Sequence, residues 1–163
     1  MGVREHKKHQ YSLKIGVITV SSTRNERTDE SGKIIMRMIE ENGHRLCDYT
    51  IVKDSKLEIL ASLFFMLQNC DAVILNGGTG ISRRDVTYES VVPVFDRELK
   101  GFGEMFRFKS YEEIGTSAMM SRATAGIICN RIVFLVPGSP NAVKTACEII
   151  FSEINHIWYE MHK

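Results

Sequence analysis

The stretch Ala72-Val73-Ile74-Leu75-Asn76-Gly77-Gly78-Thr79-Gly80-Ile81-Ser82-Arg83-Arg84-Asp85-Val86-Thr87 passes from an apolar run into a glycine loop and then a charged tail. A short, mostly β-branched run that ends on a turn signal reads as a buried strand. Glycines placed directly after such a strand let the backbone turn sharply and bring its N–H groups close to a ligand, and a following helix would aim its positive end at the same point. Phosphate suits such a loop. Arg84 can grip phosphate oxygens, and Asp85 can hold a metal ion that does so.

Working outward, Leu13 to Val20 reads as another buried strand, ended by the polar run Ser21-Ser22-Thr23-Arg24-Asn25. A helix follows, with Ser31 as its expected cap, Ile34, Ile35, Met38 and Ile39 at helical spacing, and Asn42-Gly43 as its stop. A strand from about Leu46 to Val52 leads through Asp54-Ser55 into a helix whose expected apolar face carries Leu57, Leu60, Ala61, Phe64 and Phe65. Near the other end, Arg131 to Leu135 reads as a strand entering the loop Val136-Pro137-Gly138-Ser139-Pro140-Asn141, and a last helix carries Val143, Ala146, Ile149, Ile150 and Ile154, extended by Ile157 and Trp158. Strands alternating with helices give an α/β fold, with a parallel sheet covered on both faces and right-handed crossovers. Ligands of such sheets sit at the carboxyl ends of the strands, which both loops leave. Between them, Gly101 to Phe108 and Ala118 to Arg122 are rich in Phe and Met, for either a subunit contact or further core helices.

The 163 residues, 44% hydrophobic and 25% charged, suit one domain with a single core. Residues 1–12 are expected to form a loose basic tail and residues 13–163 the domain. A net charge of +1 gives no footprint for nucleic acid or an anionic membrane. No apolar run approaches the ~20 residues of a spanning helix, and the start lacks the apolar segment of a signal peptide. Cys47, Cys70, Cys129 and Cys147 form no C-x-x-C pair, and three of them sit beside or inside apolar stretches. Free thiols in a reducing cytoplasm are the expectation. His6, His9, His44, His156 and His162 are expected to be solvated, since no H-E-x-x-H or Cys–His pairing suggests a zinc site.

Two common nucleotide motifs are missing: there is no G-x-x-x-x-G-K-[ST], and Gly77-Gly78-Thr79-Gly80 does not give G-x-G-x-x-G. The wider set is more telling. Gly77-Gly78-Thr79-Gly80 with Arg84-Asp85-Val86-Thr87 and Glu89, Ser121-Arg122-Ala123 with Ala125-Gly126, and Pro137-Gly138-Ser139-Pro140 with Ala142-Val143 jointly resemble the molybdenum-cofactor biosynthesis proteins of MoaB and MogA type. These are related to the G domains of gephyrin and the plant cofactor-insertion protein. The resemblance spans about Lys14 to Ile150, and Gly101-Phe102-Gly103-Glu104 with Glu113-Ile114-Gly115-Thr116-Ser117 look most like the MoaB branch. Tyr88 departs from the pattern, which has proline after Val-Thr at the start of the next helix.

The resemblance implies a three-layer α/β/α fold with a mostly parallel central sheet, and an Mg²⁺-dependent enzyme in which the terminal phosphate of molybdopterin attacks the α-phosphate of ATP. The products are adenylylated molybdopterin and pyrophosphate. It implies roles for Asp85 and Asp54 as catalytic and metal-binding carboxylates, and for Gly77, Gly78, Thr79, Gly80, Arg84, Ser121, Pro137, Gly138 and Ser139 in binding nucleotide and pterin. From the residues alone, Asp85 and Asp54 are equally candidate helix caps, the Ser139 loop a plain turn, and Arg84 a solvated side chain. The resemblance further implies a cytoplasmic homo-oligomer, a trimer or hexamer, with the downstream molybdate-insertion protein as a candidate partner. Two readings compete with the enzyme: a non-catalytic pterin-binding oligomer of the same pathway, and a flavodoxin-like redox module, which would bind flavin and be yellow.

Overall fold

The computed structural model describes residues 9–163. Residues 1–8 of the expected tail, with His6, lie outside the described residues. The next residues are tied to the domain: the Tyr11 N–H donates to Asn155 Oδ1 at 3.2 Å, and the His9 ring stacks on Tyr159 at 4.5 Å.

Six strands and five helices alternate along the chain: β1 (Lys14–Val20), α1 (Glu30–Glu41), β2 (Arg45–Val52), α2 (Lys56–Leu67), β3 (Ala72–Asn76), α3 (Thr87–Val91), β4 (Arg97–Glu98), α4 (Lys100–Ile114), β5 (Thr124–Ile128), β6 (Arg131–Val136) and α5 (Pro140–His162). The sheet order is β2-β1-β3-β6-β5-β4. The four strands expected from the sequence pair in parallel, while β5 runs antiparallel to β6 and β4 antiparallel to β5. The two antiparallel strands were not foreseen. β5 is five fully buried residues without polar alternation, and β4 is two residues long, too short to carry a period.

β3 is buried throughout, and its alternation splits the core. Ala72 and Ile74 face the helices α1, α4 and α5, and Val73 and Leu75 face α2 and Val91 of α3. This gives the three-layer α/β/α arrangement with a mostly parallel sheet.

Several local expectations need correction. α1 is capped by Asp29, whose side chain accepts the Gly32 N–H at 3.0 Å, and Ser31 lies inside the helix. Asn42 does end the helix, followed by Gly43 in the left-handed region. α2 buries Ile59, Leu63, Met66 and Leu67 and turns Leu57, Phe64 and Phe65 to solvent. Both sets have helical spacing, so the nearly continuous apolar run of α2 does not say which face meets the sheet. α4 supports the core-helix reading of the middle region by burying Gly103, Phe106 and Ser110, while Met105, Phe108, Tyr111 and Ile114 are exposed.

The cysteines are not all free. Cys47 and Cys70 form a disulfide, leaving exposed Cys129 and buried Cys147 as thiols. The register of β1 against β2 skips one residue, pairing Ile15 with Leu46 and Gly16 with Asp48, so Cys47 is the extra residue of a bulge. A bulge re-aims a side chain, here against the α2 core where Cys70 waits. Among the described residues, no helix is long and apolar enough to cross a membrane.

His44 is buried, contrary to expectation, and its Nδ1 accepts the Leu13 N–H at 3.2 Å. Burial holds its pKa below the ordinary 6.5. A depressed folded-state pKa means stability that is full above pH 6.5 and lost as pH falls through the folded value. Melting is therefore expected to weaken below that pH by about 1 kcal/mol, the worth of the bond that protonated Nδ1 cannot accept. His44→Gln should flatten this limb of the pH profile; an unchanged acid limb would remove His44 as its source.

Candidate active site

β1 and β3 are neighbours, but the chain leaves β1 toward β2 and leaves β3 toward the other half of the sheet. Such a switch opens a crevice at the carboxyl ends. The cavity found there holds about 310 Å³ and is lined by Val20 to Arg24 after β1, Asp54 after β2, Gly77, Gly78, Arg84 and Asp85 after β3, and Gly138 after β6. It brings Asp54 and Asp85 to one space.

The glycine loop is held by its carbonyls. Thr87 Oγ1 donates to Gly77 O at 2.7 Å, and the Thr87 N–H donates to Gly78 O at 3.1 Å. Gly77 and Gly78 both have positive φ, +99° and +70°, and a side chain on either would collide with Val20 O or Thr87 Oγ1. The Gly77 N–H is committed to Val136 O at 3.0 Å, so it is no donor for an anion. The N–H groups of Gly78, Thr79 and Gly80 have no acceptor among the described residues. Thr79 and Gly80 do not line the cavity, and the Thr79 residue is buried.

Neither aspartate caps a helix. Asp85 Oδ2 accepts the Ser82 N–H at 2.9 Å and closes the turn before α3, whose cap position is Val86 without a side-chain bond. Only five residues long, α3 offers little of the dipole expected after the loop. Asp54 Oδ2 accepts both Ser22 N–H and Ser22 Oγ–H, at 3.1 and 2.7 Å, while Ser55 caps α2. Each carboxylate thus keeps Oδ1 without a partner among the described residues. No group of three or more His, Cys, Asp or Glu that could hold a metal occurs among them. Two carboxylates facing one cavity fit Mg²⁺, which takes one or two carboxylates and completes its shell from other oxygens such as phosphate and water.

The other expected residues lie in adjacent cavities. Pro137, Ser139 and Ser121 line one of about 160 Å³, and Ser121 also borders one of about 430 Å³ with Tyr88, Lys100, Arg107 and Arg122. Ser139 caps α5, its Oγ accepting the Ala142 N–H at 3.3 Å. Gly138 is the member of that loop that reaches the aspartates. Its carbonyl accepts from Arg24 Nη2 at 2.8 Å and Ser31 Oγ at 2.7 Å.

Ser22, Arg24, Thr87 and Arg122 were given no role from the sequence. The signal was present for two of them, since a Ser-Ser-Thr-Arg run leaving the first parallel strand must open beside the strand that carries the glycine loop. Arg122 meets Glu89 in an ion pair and donates to Gly80 O through both Nε and Nη2. That pairing holds the Glu89 carboxyl below the usual carboxylate range.

The sequence matches, over residues 16–156, the family described as a probable molybdopterin binding domain. The chain belongs to this molybdopterin-binding family. Its relatives include molybdenum cofactor biosynthesis protein B of Bacillus subtilis, 49% identical over 100% of this chain and 99% of that protein. A second, the molybdopterin adenylyltransferase of Pyrococcus furiosus, is 50% identical over 96% of each. The crystal structure of the tungsten cofactor synthesizing protein MoaB from Pyrococcus furiosus superposes with a TM-score of 0.89 at 46% identity, over 95% of this chain and 100% of that one. The resemblance to the MoaB and MogA proteins is therefore established, and with it a place in molybdenum cofactor biosynthesis.

Proposed function

We propose that the protein transfers the adenylyl group of ATP to molybdopterin. The observation that carries this reading is the single cavity in which Asp54, Asp85, Arg84 and the glycine loop meet. In the reaction, an oxygen of the molybdopterin terminal phosphate bonds to the α-phosphorus of ATP, the bond from that phosphorus to the bridging oxygen breaks, and pyrophosphate leaves with the electron pair. Little covalent chemistry is asked of the protein, which has to position two anions and offset their charge. The free Gly78 N–H, at the cavity wall, is suited to a phosphate oxygen, and the Arg84 guanidinium to the charge gathered there. Mg²⁺, held by the free oxygens of Asp54 and Asp85, would supply charge neutralisation at the phosphates. Ser22 and the Ser82 N–H then orient the carboxylates from behind. Ser121, beside the larger cavity, belongs to the pterin side in this reading.

A homo-oligomer, trimer or hexamer, is part of the same proposal, supported by the exposed Met105, Phe108 and Met119. So is a cytoplasmic location, in which the burial of Cys70, 1% exposed, shields its disulfide from thiols. The downstream molybdate-insertion protein remains the proposed partner for the product.

The test is incubation with Mg²⁺, ATP and molybdopterin, following adenylylated molybdopterin by mass and pyrophosphate by a coupled assay. Both products are expected. Tight binding of molybdopterin without either product would instead establish a non-catalytic pterin-binding oligomer.

A further inference from the structure

Arg122 sits between the 3-10 turn Gly115–Met120 and β5, yet it is fastened to a loop 42 residues earlier. Its backbone N–H donates to Thr79 O at 3.0 Å. Its guanidinium donates to Gly80 O from Nε at 3.0 Å and Nη2 at 2.6 Å, and Nη2 reaches Asp85 O at 3.4 Å. The other edge of the fork is taken by Glu89, which accepts from Nη1 and, at 3.3 Å, from Nη2. The Tyr88 ring centroid lies 5.2 Å from the guanidinium carbon, at cation–π distance.

Apart from those to the Glu89 carboxylate, these bonds all reach backbone carbonyl oxygens between Thr79 and Asp85. In a trans peptide the C=O of one residue and the N–H of the next point in opposite directions, so holding Thr79 O sets the direction of the Gly80 N–H. Holding Asp85 O limits where its carboxylate can stand. Each of Nε, Nη1 and Nη2 has a protein acceptor, and 30% of the side chain is exposed. Its bonds are those of a brace on the loop, while its exposed part borders the 430 Å³ cavity.

We propose that Arg122, supported by Glu89 and Tyr88, is a positioning residue of the phosphate site, bracing the Thr79–Gly80 backbone behind the cavity and fixing Asp85 at its edge. This rests on the adenylyltransferase reading for its effect on turnover, and on geometry alone for its effect on the loop. Tyr88 is then more than a tolerated departure from proline, because its ring is the platform on which the brace lies.

The variant Arg122→Lys keeps the charge, the backbone N–H and attraction to Glu89, and loses the fork to Gly80 O. Amide hydrogen exchange at the hydrogen-bonded Ser82, Arg84 and Asp85 N–H groups should quicken by at least about tenfold, with β3 and β6 unchanged. Turnover should fall by about 10- to 100-fold, while KM for molybdopterin shifts by less than about threefold. Adding Glu89→Gln to Arg122→Lys should cost little more, since both act on one brace.

Loop exchange within about twofold of wild type would overturn the proposal, as would faster exchange spread through the core strands. A raised KM with unchanged kcat would also overturn it, making Arg122 a substrate contact. Faster loop exchange with neither kcat nor KM changed would do the same for its catalytic part. If the wild-type protein itself makes no product, the adenylyltransferase reading fails, and loop exchange alone decides whether Arg122 braces the loop.

Discussion

Asp85→Asn is expected to fold as the wild type does and to lose adenylyl transfer by about 10³-fold or more. Fold is kept because the asparagine side-chain oxygen can still accept the Ser82 N–H that closes the turn, and because Asp85 is only half-buried and caps no helix. Activity is lost because an amide removes one of only two carboxylates facing the cavity, and several kcal/mol of charge stabilisation at the phosphates correspond to about 10³ in rate. The measurement is kcat with Mg²⁺, ATP and molybdopterin, beside a melting curve that should agree with wild type to within about 3 °C. Near-wild-type turnover would remove Asp85 from the reaction.

Asp29→Ala should be the most damaging single change to stability, by about 3–5 kcal/mol, or roughly 10 °C in Tm. Asp29 is fully buried, yet every side of its carboxylate is answered. Oδ2 accepts from Thr19 Oγ1 and Tyr49 Oη, both at 2.6 Å. Oδ1 accepts the Gly32 N–H, with Arg24 Nη1 at 3.7 Å. Burial and the neighbouring Asp29 push the Tyr49 pKa above its ordinary value, so the hydroxyl stays a donor. Alanine would strand these donors and remove the cap of α1. Asp29→Asn, which keeps the size and some acceptors, should fall between. A loss of less than about 1 kcal/mol for Asp29→Ala would show that the network does not hold the fold. Turnover of the alanine variant should also suffer below its melting range, since Arg24 and Ser31 tie this network to Gly138.

The elements that carry the site were legible because each depends on a short-range pattern. The strands β1, β3 and β6 announce themselves as apolar runs ended by turn residues, and Gly77-Gly78 marks a turn that no side chain can enter. What escaped depends on partners distant in sequence. The capping role of Asp29 over Ser31, the burial of His44 and the sheet-facing side of α2 are decided by which neighbour lies opposite. So is the division of the motif residues: Gly138 reaches the aspartates, whereas Pro137 and Ser139 open on another cavity. The Cys47–Cys70 bond needed the register slip in β2, which no period of residues encodes.

That bond closes a ring of chain with a sequence separation of 23, containing the end of β2, Asp54 and all of α2. A single peptide cut inside the ring, beside exposed Leu57 for instance, breaks the backbone but releases nothing. Unfolding the cut protein in the presence of a thiol then frees two pieces, and the two carboxylates of one cavity part company: Asp54 leaves with the N-terminal piece and Asp85 with the C-terminal one. The sulfur bridge thus ties the Asp54 side of the cavity to the rest of the domain even where the main chain is cut.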